Sequence, residues 1–153
     1  MKKLIPFIIS GVLVIGAAGC QDAAKTNADA PNTTNETAQA PDTSTAQQTQ
    51  NDATSETRRN QLNSDIRARE ERNNATGGDT ERDDDDLESE VRSKLEANLP
   101  ASQLAVEAEE GAVTVSGTVP TQEQLQRIDT LAKEIKGVQT VNNKATVAPA
   151  KQS

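Results

Sequence analysis

Few side chains in this chain are suited to covalent or metal chemistry. The 153 residues include no His and one Cys, Cys20, so neither an internal disulfide nor a Cys/His zinc site can form. No Ser or Lys stands beside a base in a pattern typical of nucleophilic catalysis. We therefore predict no catalytic residue, no metal and no cofactor, and expect a protein that is not an enzyme.

Residues 83–86 are four consecutive aspartates, a run that invites a calcium hypothesis. Calcium loops of the EF-hand type alternate their ligands and place a Gly in the turn, and neither feature occurs here. Carboxylates at a helix start accept hydrogen bonds from free backbone N–H groups and favour the helix dipole. We interpret residues 77–86 as an acidic linker that leads into a helix.

Cys20 ends a segment with the features of an export signal. Two lysines follow Met1, and residues 4–18 are mostly apolar. This stretch is shorter than the roughly 20 apolar residues that span a bilayer as a helix. Residues 17–20, Ala-Ala-Gly-Cys, resemble the lipobox of bacterial lipoproteins, although that family usually has Leu where Ala17 stands.

The lipobox resemblance implies a signal peptide over residues 1–19 and a diacylglycerol thioether on Cys20. The mature protein would then be anchored in a membrane and face the periplasm of the cell envelope. Ala17 and Gly19 also suit ordinary signal cleavage, which would give a plain secreted protein. Gln21 differs from the Asp that retains some enteric lipoproteins in the inner membrane, so the choice between inner and outer membrane stays open.

The segment after Cys20 lacks the residues that build a core. Residues 21–55 contain no Val, Ile, Leu, Met or aromatic residue. Such a segment cannot offset the entropy of ordering, so we expect residues 20–55 to be a disordered polar tether. As a flexible coil it would reach about 30–35 Å on average. Residues 149–153 are expected to be a disordered tail.

Residues 56–76 are rich in helix-forming residues and precede two glycines. Leu62 and Ile66 lie four apart on one face, and Arg59 and Arg69 extend that stripe at helical spacing. One interpretation is a short docking helix whose arginines contact phosphate or carboxylate groups. The other is a solvated helix with many ion pairs, because neighbouring carboxylates nearly cancel the arginines.

The composition excludes several classes of partner. The formal net charge is −8 at pH 7, and removal of the signal lysines would make the mature chain more acidic. A nucleic-acid-binding protein is expected to have a clustered basic face, and adhesion to anionic lipid also needs positive charge. Trp and Tyr are absent, which removes base stacking and aromatic membrane belts. We predict no nucleic-acid partner.

Residues 87–148 contain nearly all the large aliphatic residues after the signal. Their periods change in order from helical to alternating, alternating, helical and alternating. The turn at 109–111 predicts a hairpin in which Gly111 supplies the positive φ, and Thr121 with Gln124 fits a capping box before the second helix. The economical arrangement is an α+β sandwich of order αββαβ, with two helices on one face of a three-stranded mixed sheet.

The same residues resemble a BON domain, present here in one copy. Residues 111–119 are close to that family's G-x-V-x-L-x-G-x-V core, and residues 137–143 match its G-V-x-x-V-x-N motif. The positions that carry the resemblance are Gly111, Val113, Gly117, Gly137, Val138, Val141 and Asn143. We predict structural roles for them: Gly117 allows close helix approach or a strand bend, Gly137 ends the second helix as its C′ residue, and Asn143 bonds backbone at a strand start.

The BON resemblance implies a non-enzymatic domain of bacterial envelope proteins, proposed to bind phospholipid or to attach to membranes and envelope assemblies. Together with the lipobox, it predicts an anchored lipoprotein whose domain binds phospholipid headgroups or an envelope protein. The alternative is a structural or stress-protective envelope spacer with no specific ligand.

Overall fold

The computed structural model describes residues 23–76 and 82–151. The predicted signal peptide, Cys20 and the glycine pair at 77–78 lie outside these residues. Within them the chain forms four helices and five strands, so the predicted α+β class is confirmed. In chain order the elements are β1 (Ala24–Lys25), α1 (Thr43–Thr54), α2 (Glu56–Thr76), α3 (Asp84–Asn98), β2 (Gln103–Glu109), β3 (Ala112–Val119), α4 (Gln122–Lys133), β4 (Thr140–Asn143) and β5 (Thr146–Val147).

The sheet is mixed, as predicted, and has the order β1-β2-β3-β4, with β5 also beside β3. Strands β2 and β3 form an antiparallel hairpin, while β4 and β5 both run parallel to β3. The predicted third strand is therefore divided in two. Its halves keep one register, because Val113 lies opposite Val141 and Val119 lies opposite Val147. The sheet also gains β1, which the sequence did not predict.

The hairpin turn between β2 and β3 has two loop residues, Glu110 and Gly111, both with positive φ (49° and 83°). Positive φ at both positions is the requirement of a type I′ turn, whose twist matches that of the flanking strands. The Gly was predicted to supply this conformation. Glu110 adopts the same left-handed conformation with a side chain, which is strained for a residue other than Gly. Its N–H donates to Asp84 Oδ1 at 3.0 Å.

Helix α3 starts three residues earlier than predicted. Asp83 is its N-cap, and its side chain accepts from the N–H of Asp85 at 3.1 Å. Asp84, Asp85 and Asp86 occupy the first turn. The predicted linker therefore does not continue to residue 86, because the carboxylates stabilise the first turn of the helix.

Helix α4 begins at the predicted cap, Thr121, but its capping is incomplete and its end differs from the prediction. Thr121 Oγ1 accepts from the N–H of Gln124 at 3.2 Å. The Gln124 side chain donates to Pro100 O and its Oε1 has no described hydrogen-bond partner, so the reciprocal half of the capping box is missing. The helix ends at Lys133, and the N–H of Ile135 bonds Ala132 O in a tighter turn. Gly137, with φ 94°, therefore lies four residues beyond the helix end.

Helices α3 and α4 cover one face of the sheet and enclose an aliphatic core. The stripe of α3, the inward faces of β2 and β3, and the stripe of α4 all contribute to it. Its buried members are Leu87, Val91, Leu95, Leu99, Leu104, Val106, Val113, Val115, Val119, Ile128, Leu131, Ala132 and Ile135.

The disordered tether expected over residues 20–55 is not what the structure has for residues 23–55. β1 pairs antiparallel with β2, and the N–H of Thr26 donates to Leu104 O at 2.9 Å. Further along, α1 begins with Asp42 as its N-cap. Ordering here rests on hydrogen bonds and on buried Ala and Thr side chains rather than on large aliphatic residues.

The tail expected to be disordered also has a described contact. The N–H of Lys151 donates to Pro41 O at 2.9 Å, and Thr43 Oγ1 donates to Lys151 O at 2.7 Å. The C-terminal end of the described chain is thus tied to the start of α1. Residues 152–153 lie outside the described part.

Candidate functional site

The glycines of the hairpin motif are required by close backbone contacts. Gly117 has φ 121°, and a Cβ there would lie 2.0 Å from Gln103 O on the neighbouring strand. Two roles were predicted for Gly117, close helix approach or a strand bend, but the close approach is made by the backbone of β2 and not by a helix. At Gly111 a Cβ would lie 2.9 Å from Gly137 O, so the hairpin turn contacts the second glycine motif directly.

Asn143 connects the interrupted third strand to α4. Its Nδ2 donates to Asp129 Oδ1 at 3.1 Å, and its Oδ1 accepts from the N–H of Ala145 at 3.0 Å. The bond to Ala145 closes a local turn, which explains the break between β4 and β5. Asn143 was predicted to bond backbone at a strand start, and it does bond backbone, but from the last residue of β4.

The other motif residues pack in the core. Val113 is buried, while Val138 and Val141 are partly buried against the same cluster. The arrangement is a structural signature in which three glycines, one amide and alternating valines hold a hairpin, a helix and a parallel strand together. The sequence model of the BON domain matches residues 83–149. This part of the chain is a BON domain.

A protein of Escherichia coli is similar to this chain within the domain. The chain is 40% identical over 57 residues to the osmotically-inducible protein Y of Escherichia coli (strain K12). The match covers 36% of this chain and 28% of that protein, so the chain spans well under two thirds of the relative. The similarity therefore concerns the BON domain and not the whole of either protein.

The arginine-rich helix α2 packs on α3 of the BON domain. Leu62 is fully buried, Ile66 contacts the domain core, and Arg69 pairs with Asp86. Three of the four side chains proposed to face a binding partner are therefore buried, packed or paired within the protein itself. Arg59, the fourth, is exposed.

A second ion-pair contact between α2 and α3 was not predicted. Arg58 Nε donates to Glu96 Oε1 at 2.7 Å, and Arg92 pairs with Glu96 Oε2 at 2.7 Å. Glu96 is only 8% exposed. Its carboxylate thus lies in a polar seam between the helices. The sequence signal was a row of acidic residues beside the apolar stripe of α3, which resembles an ordinary solvated face.

Glu90 is the most unusual ionisable group among the described residues. It is fully buried, its Oε1 pairs with Arg82 Nη2 at 3.0 Å, and its Oε2 has no described hydrogen-bond partner. Burial raises the pKa of Glu90 to about 7, although Arg82 opposes the rise. Arg82 also donates to Lys136 O and lies against Gly137, where a Cβ would be 2.5 Å from Arg82 Cδ.

The β2 edge of the BON sheet is covered along its length. Thr26 Oγ1 accepts from the N–H of Leu104 at 2.9 Å, β1 pairs with the middle of the strand, and Glu88 Oε1 accepts from the N–H of Ala108 at 3.0 Å. Burial raises the pKa of Glu88, while the bond from Ala108 opposes that rise. A covered edge does not template pairing with other chains.

The opposite edge, formed by β4 and β5, has no further strand beside it in the described chain. The N–H groups of Lys144 and Ala148 point inward and donate to β3. Alternate residues of a parallel strand direct their backbone N–H and C=O groups to opposite sides. Those of Val141 and Val147 therefore point away from β3, toward the open side of the edge. Val147 is 38% exposed.

Basic and acidic side chains are concentrated on different parts of the BON domain. On and after α4, four basic side chains are exposed: Arg127, Lys133, Lys136 and Lys144. At the hairpin end, carboxylates of Asp84, Glu88, Glu107 and Glu109 surround an open cleft of about 490 Å³.

The described residues contain no group of three or more His, Cys, Asp or Glu side chains suited to a metal ion. None of the described helices is long and apolar enough to cross a membrane.

Proposed function

We propose that this protein is a lipid-anchored component of the cell envelope whose BON domain is a non-enzymatic attachment module. The observation that carries the proposal is the BON match over residues 83–149. The name of the Escherichia coli relative, osmotically inducible, fits a role in the response of the envelope to osmotic stress. The side chains around the BON motifs act by packing and hydrogen bonding, which suits attachment better than catalysis.

The anchor of the proposed lipoprotein is Cys20, at the end of the lipobox-like residues 17–20. A thioether-linked diacylglycerol with a further acyl group would give stable attachment, since each buried methylene contributes about 0.8 kcal/mol. The protein would then face the periplasm from one of the two envelope membranes. Palmitate labelling of the protein and of Cys20→Ala tests this anchor, and retained label in the variant would contradict it.

The surface best suited to bind phospholipid headgroups is the exposed basic group on and after α4. Lys133, Lys136 and Lys144 are exposed and can reach phosphate oxygens. The strong negative charge of the chain as a whole opposes binding to highly anionic membranes, so the expected binding is weak and sensitive to salt. An envelope protein with an acidic surface would be recognised by the same side chains.

Liposome co-sedimentation of the mature chain carrying Cys20→Ala tests binding by the protein itself. We expect weak binding that falls with salt and is lost on replacing Lys133, Lys136 and Lys144 by Glu. The matched control replaces the exposed Arg59 and Arg67 of α2 by Glu and is expected to keep binding.

Two results would change this proposal. If the parent protein ignores every lipid composition and crosslinks to no envelope protein, the attachment function is wrong, and the alternative of a spacer without a specific ligand takes its place. If the control variant loses binding as strongly as the α4 variant, the binding surface has been assigned wrongly, while the proposed attachment function stands.

A further inference from the structure

The N-terminal segment is fastened to the edge of the BON sheet only a few residues after Cys20. Ala23 is buried, and its N–H donates to Asn32 O at 2.8 Å. From Ala24 the chain pairs with β2. The first described residues are thus part of the folded body, whereas a flexible tether would have separated the anchor from the domain.

Five further hydrogen bonds fix this attachment to residues more than 70 positions away. Thr26 exchanges backbone and side-chain bonds with Leu104, and Asn27 Nδ2 donates to Ser102 O at 2.7 Å. Further along the segment, the N–H of Thr34 donates to Glu107 Oε1 at 3.1 Å, and the Thr34 hydroxyl donates to the other carboxylate oxygen of Glu107. These contacts reach both ends of β2.

The chain length between Cys20 and the fixed point limits how far the domain can stand from an anchor. Three residues lead from Cys20 to Ala23, and fully extended they span at most about 11 Å. A free tether over residues 20–55 would instead reach about 30–35 Å. The fastened segment therefore shortens the reach of the anchor to about a third.

We infer that the β2 edge of the BON domain, with β1 and the residues around Thr34, lies against the phospholipid headgroup layer of the anchoring membrane. This inference rests on the proposed lipid anchor at Cys20. The open edge formed by β4 and β5, with Lys144 between them, then faces away from this bilayer, so the basic group on and after α4 would contact a second membrane or an envelope protein. The open edge lies three strand positions from β1, which corresponds to about 14 Å at the usual strand spacing.

The chemistry of the proximal surface indicates a neutral headgroup layer. Asp29 and Glu36 are exposed beside the edge and carry negative charge, and the partly exposed Lys25 bonds Asn32 at 2.9 Å. Anionic lipids would be repelled from this surface. The acyl anchor must therefore hold this surface at the membrane. Vesicles of zwitterionic phosphatidylcholine are sufficient to test the orientation, because they do not repel the acidic side chains.

Energy transfer from the domain to labelled lipid measures this orientation. Acylated protein is reconstituted into phosphatidylcholine vesicles containing a headgroup-labelled acceptor lipid and recovered by flotation. Asn35→Cys and Asn142→Cys, both at exposed positions, each receive a maleimide dye, because the acylated Cys20 has no free thiol. We expect transfer from position 35 to exceed transfer from position 142 by about twofold or more, given the separation of the two edges.

Two variants release the edge in different ways. Thr26→Pro combined with Asn27→Ala removes the bonds to Leu104 and Ser102, and circular dichroism checks that the BON domain still folds. A twelve-residue Gly/Ser insertion before Ala23 keeps every contact but lengthens the reach. Both are expected to bring the two transfer efficiencies close together.

The outcomes separate this inference from the proposed function. Protein that does not float with vesicles shows that there is no acyl anchor, and both ideas fail. Protein that floats but shows equal transfer from positions 35 and 142 keeps the anchor and overturns the orientation. Unequal transfer that persists in both release variants also overturns it, because the short connection would then not be its cause.

Discussion

The BON domain and the N-terminal segments before it are held in place by different interactions. The domain encloses a continuous aliphatic core, whereas residues 23–76 contribute one fully buried large aliphatic side chain, Leu62. Those segments are attached through hydrogen bonds and ion pairs, each worth about 0.5–1.5 kcal/mol for a neutral bond and less for an exposed pair. A region held in this way opens locally at low cost while the domain stays folded.

The largest expected effect tests the domain side of this comparison. Gly117→Ala would force a Cβ to within 2.0 Å of Gln103 O at a residue with φ 121°. Neither strand can move without disturbing the hairpin, so we expect a loss of more than about 3 kcal/mol in urea unfolding.

Gly137→Ala is the matched control for that change. Its Cβ would meet the Arg82 side chain and not backbone. Arg82 is held by Glu90 and Lys136 O, so moving it weakens those contacts, and we expect a loss of about 1–3 kcal/mol, smaller than at Gly117. Equal losses at the two glycines would show that positive φ, and not contact between backbones, determines both effects.

The same Leu→Ala change made in each region compares them directly. Leu95 and Leu62 are both fully buried, but Leu95 lies in the domain core and Leu62 on α2. We expect Leu95→Ala to lower the free energy of unfolding by about 2–5 kcal/mol. Leu62→Ala is expected to speed amide hydrogen exchange in α2 while the exchange of β2 and β3 stays unchanged. Faster exchange throughout in both variants would show that α2 and the domain unfold as one unit.

A pH-dependent effect of intermediate size arises at Glu90, which lies near the seam between the regions. Burial raises the pKa of Glu90 from its ordinary 4.5 to about 7, with Glu70 and Asp86 adding to the rise and Arg82 and Arg69 opposing it. Between those pH values the folded protein holds a proton that the unfolded chain releases.

The free energy of unfolding should therefore fall as pH increases from about 4.5 to 7, by roughly 1–3 kcal/mol. Urea titrations at both pH values are expected to show this fall for the parent protein and to show less of it for Glu90→Gln. Glu96→Gln, whose carboxylate bonds Arg58 and Arg92, serves as the control and should retain the fall. An unchanged pH dependence in Glu90→Gln would assign the effect to other carboxylates.

The smallest expected effect concerns the partly exposed ion pairs of α2. Arg69→Ala removes the pair with Asp86, and we expect it to lower stability by about 0–1 kcal/mol, mostly at low salt. Arg59→Ala, at an exposed position on the same helix, should change stability by less than about 0.5 kcal/mol. A larger loss at Arg59 would mean that the outer face of α2 is also engaged.

Hydrophobic periodicity was sufficient to predict the BON domain but not the attachment of residues 23–76. The stripes on α3 and α4 and the alternation in β2 and β3 follow from apolar burial, which the residue pattern encodes. The contacts of Thr26 with Ser102 and of Thr34 with Glu107 join polar residues far apart in sequence. No local pattern specifies such pairs, so a segment without large aliphatic residues was interpreted as disordered.

The candidate site shows the same division. The motif glycines and Asn143 were assigned structural roles from the sequence, but which backbone approaches Gly117 depends on the register of β2. The burial of Glu90 could not be predicted, because α2 and Arg82 cover a row of acidic residues that has the spacing of a solvent-exposed face. Prediction failed where one polar surface packs on another.

The closed β2 edge has a consequence for how the protein behaves when crowded. Because β1 and β2 belong to one chain, the closing strand is present at an effective concentration fixed by the connecting chain and independent of how much protein accumulates. Intermolecular strand pairing must displace this internal competitor. A chain that begins after residue 36 would lack the competitor, and its tendency to self-associate should then increase with expression level.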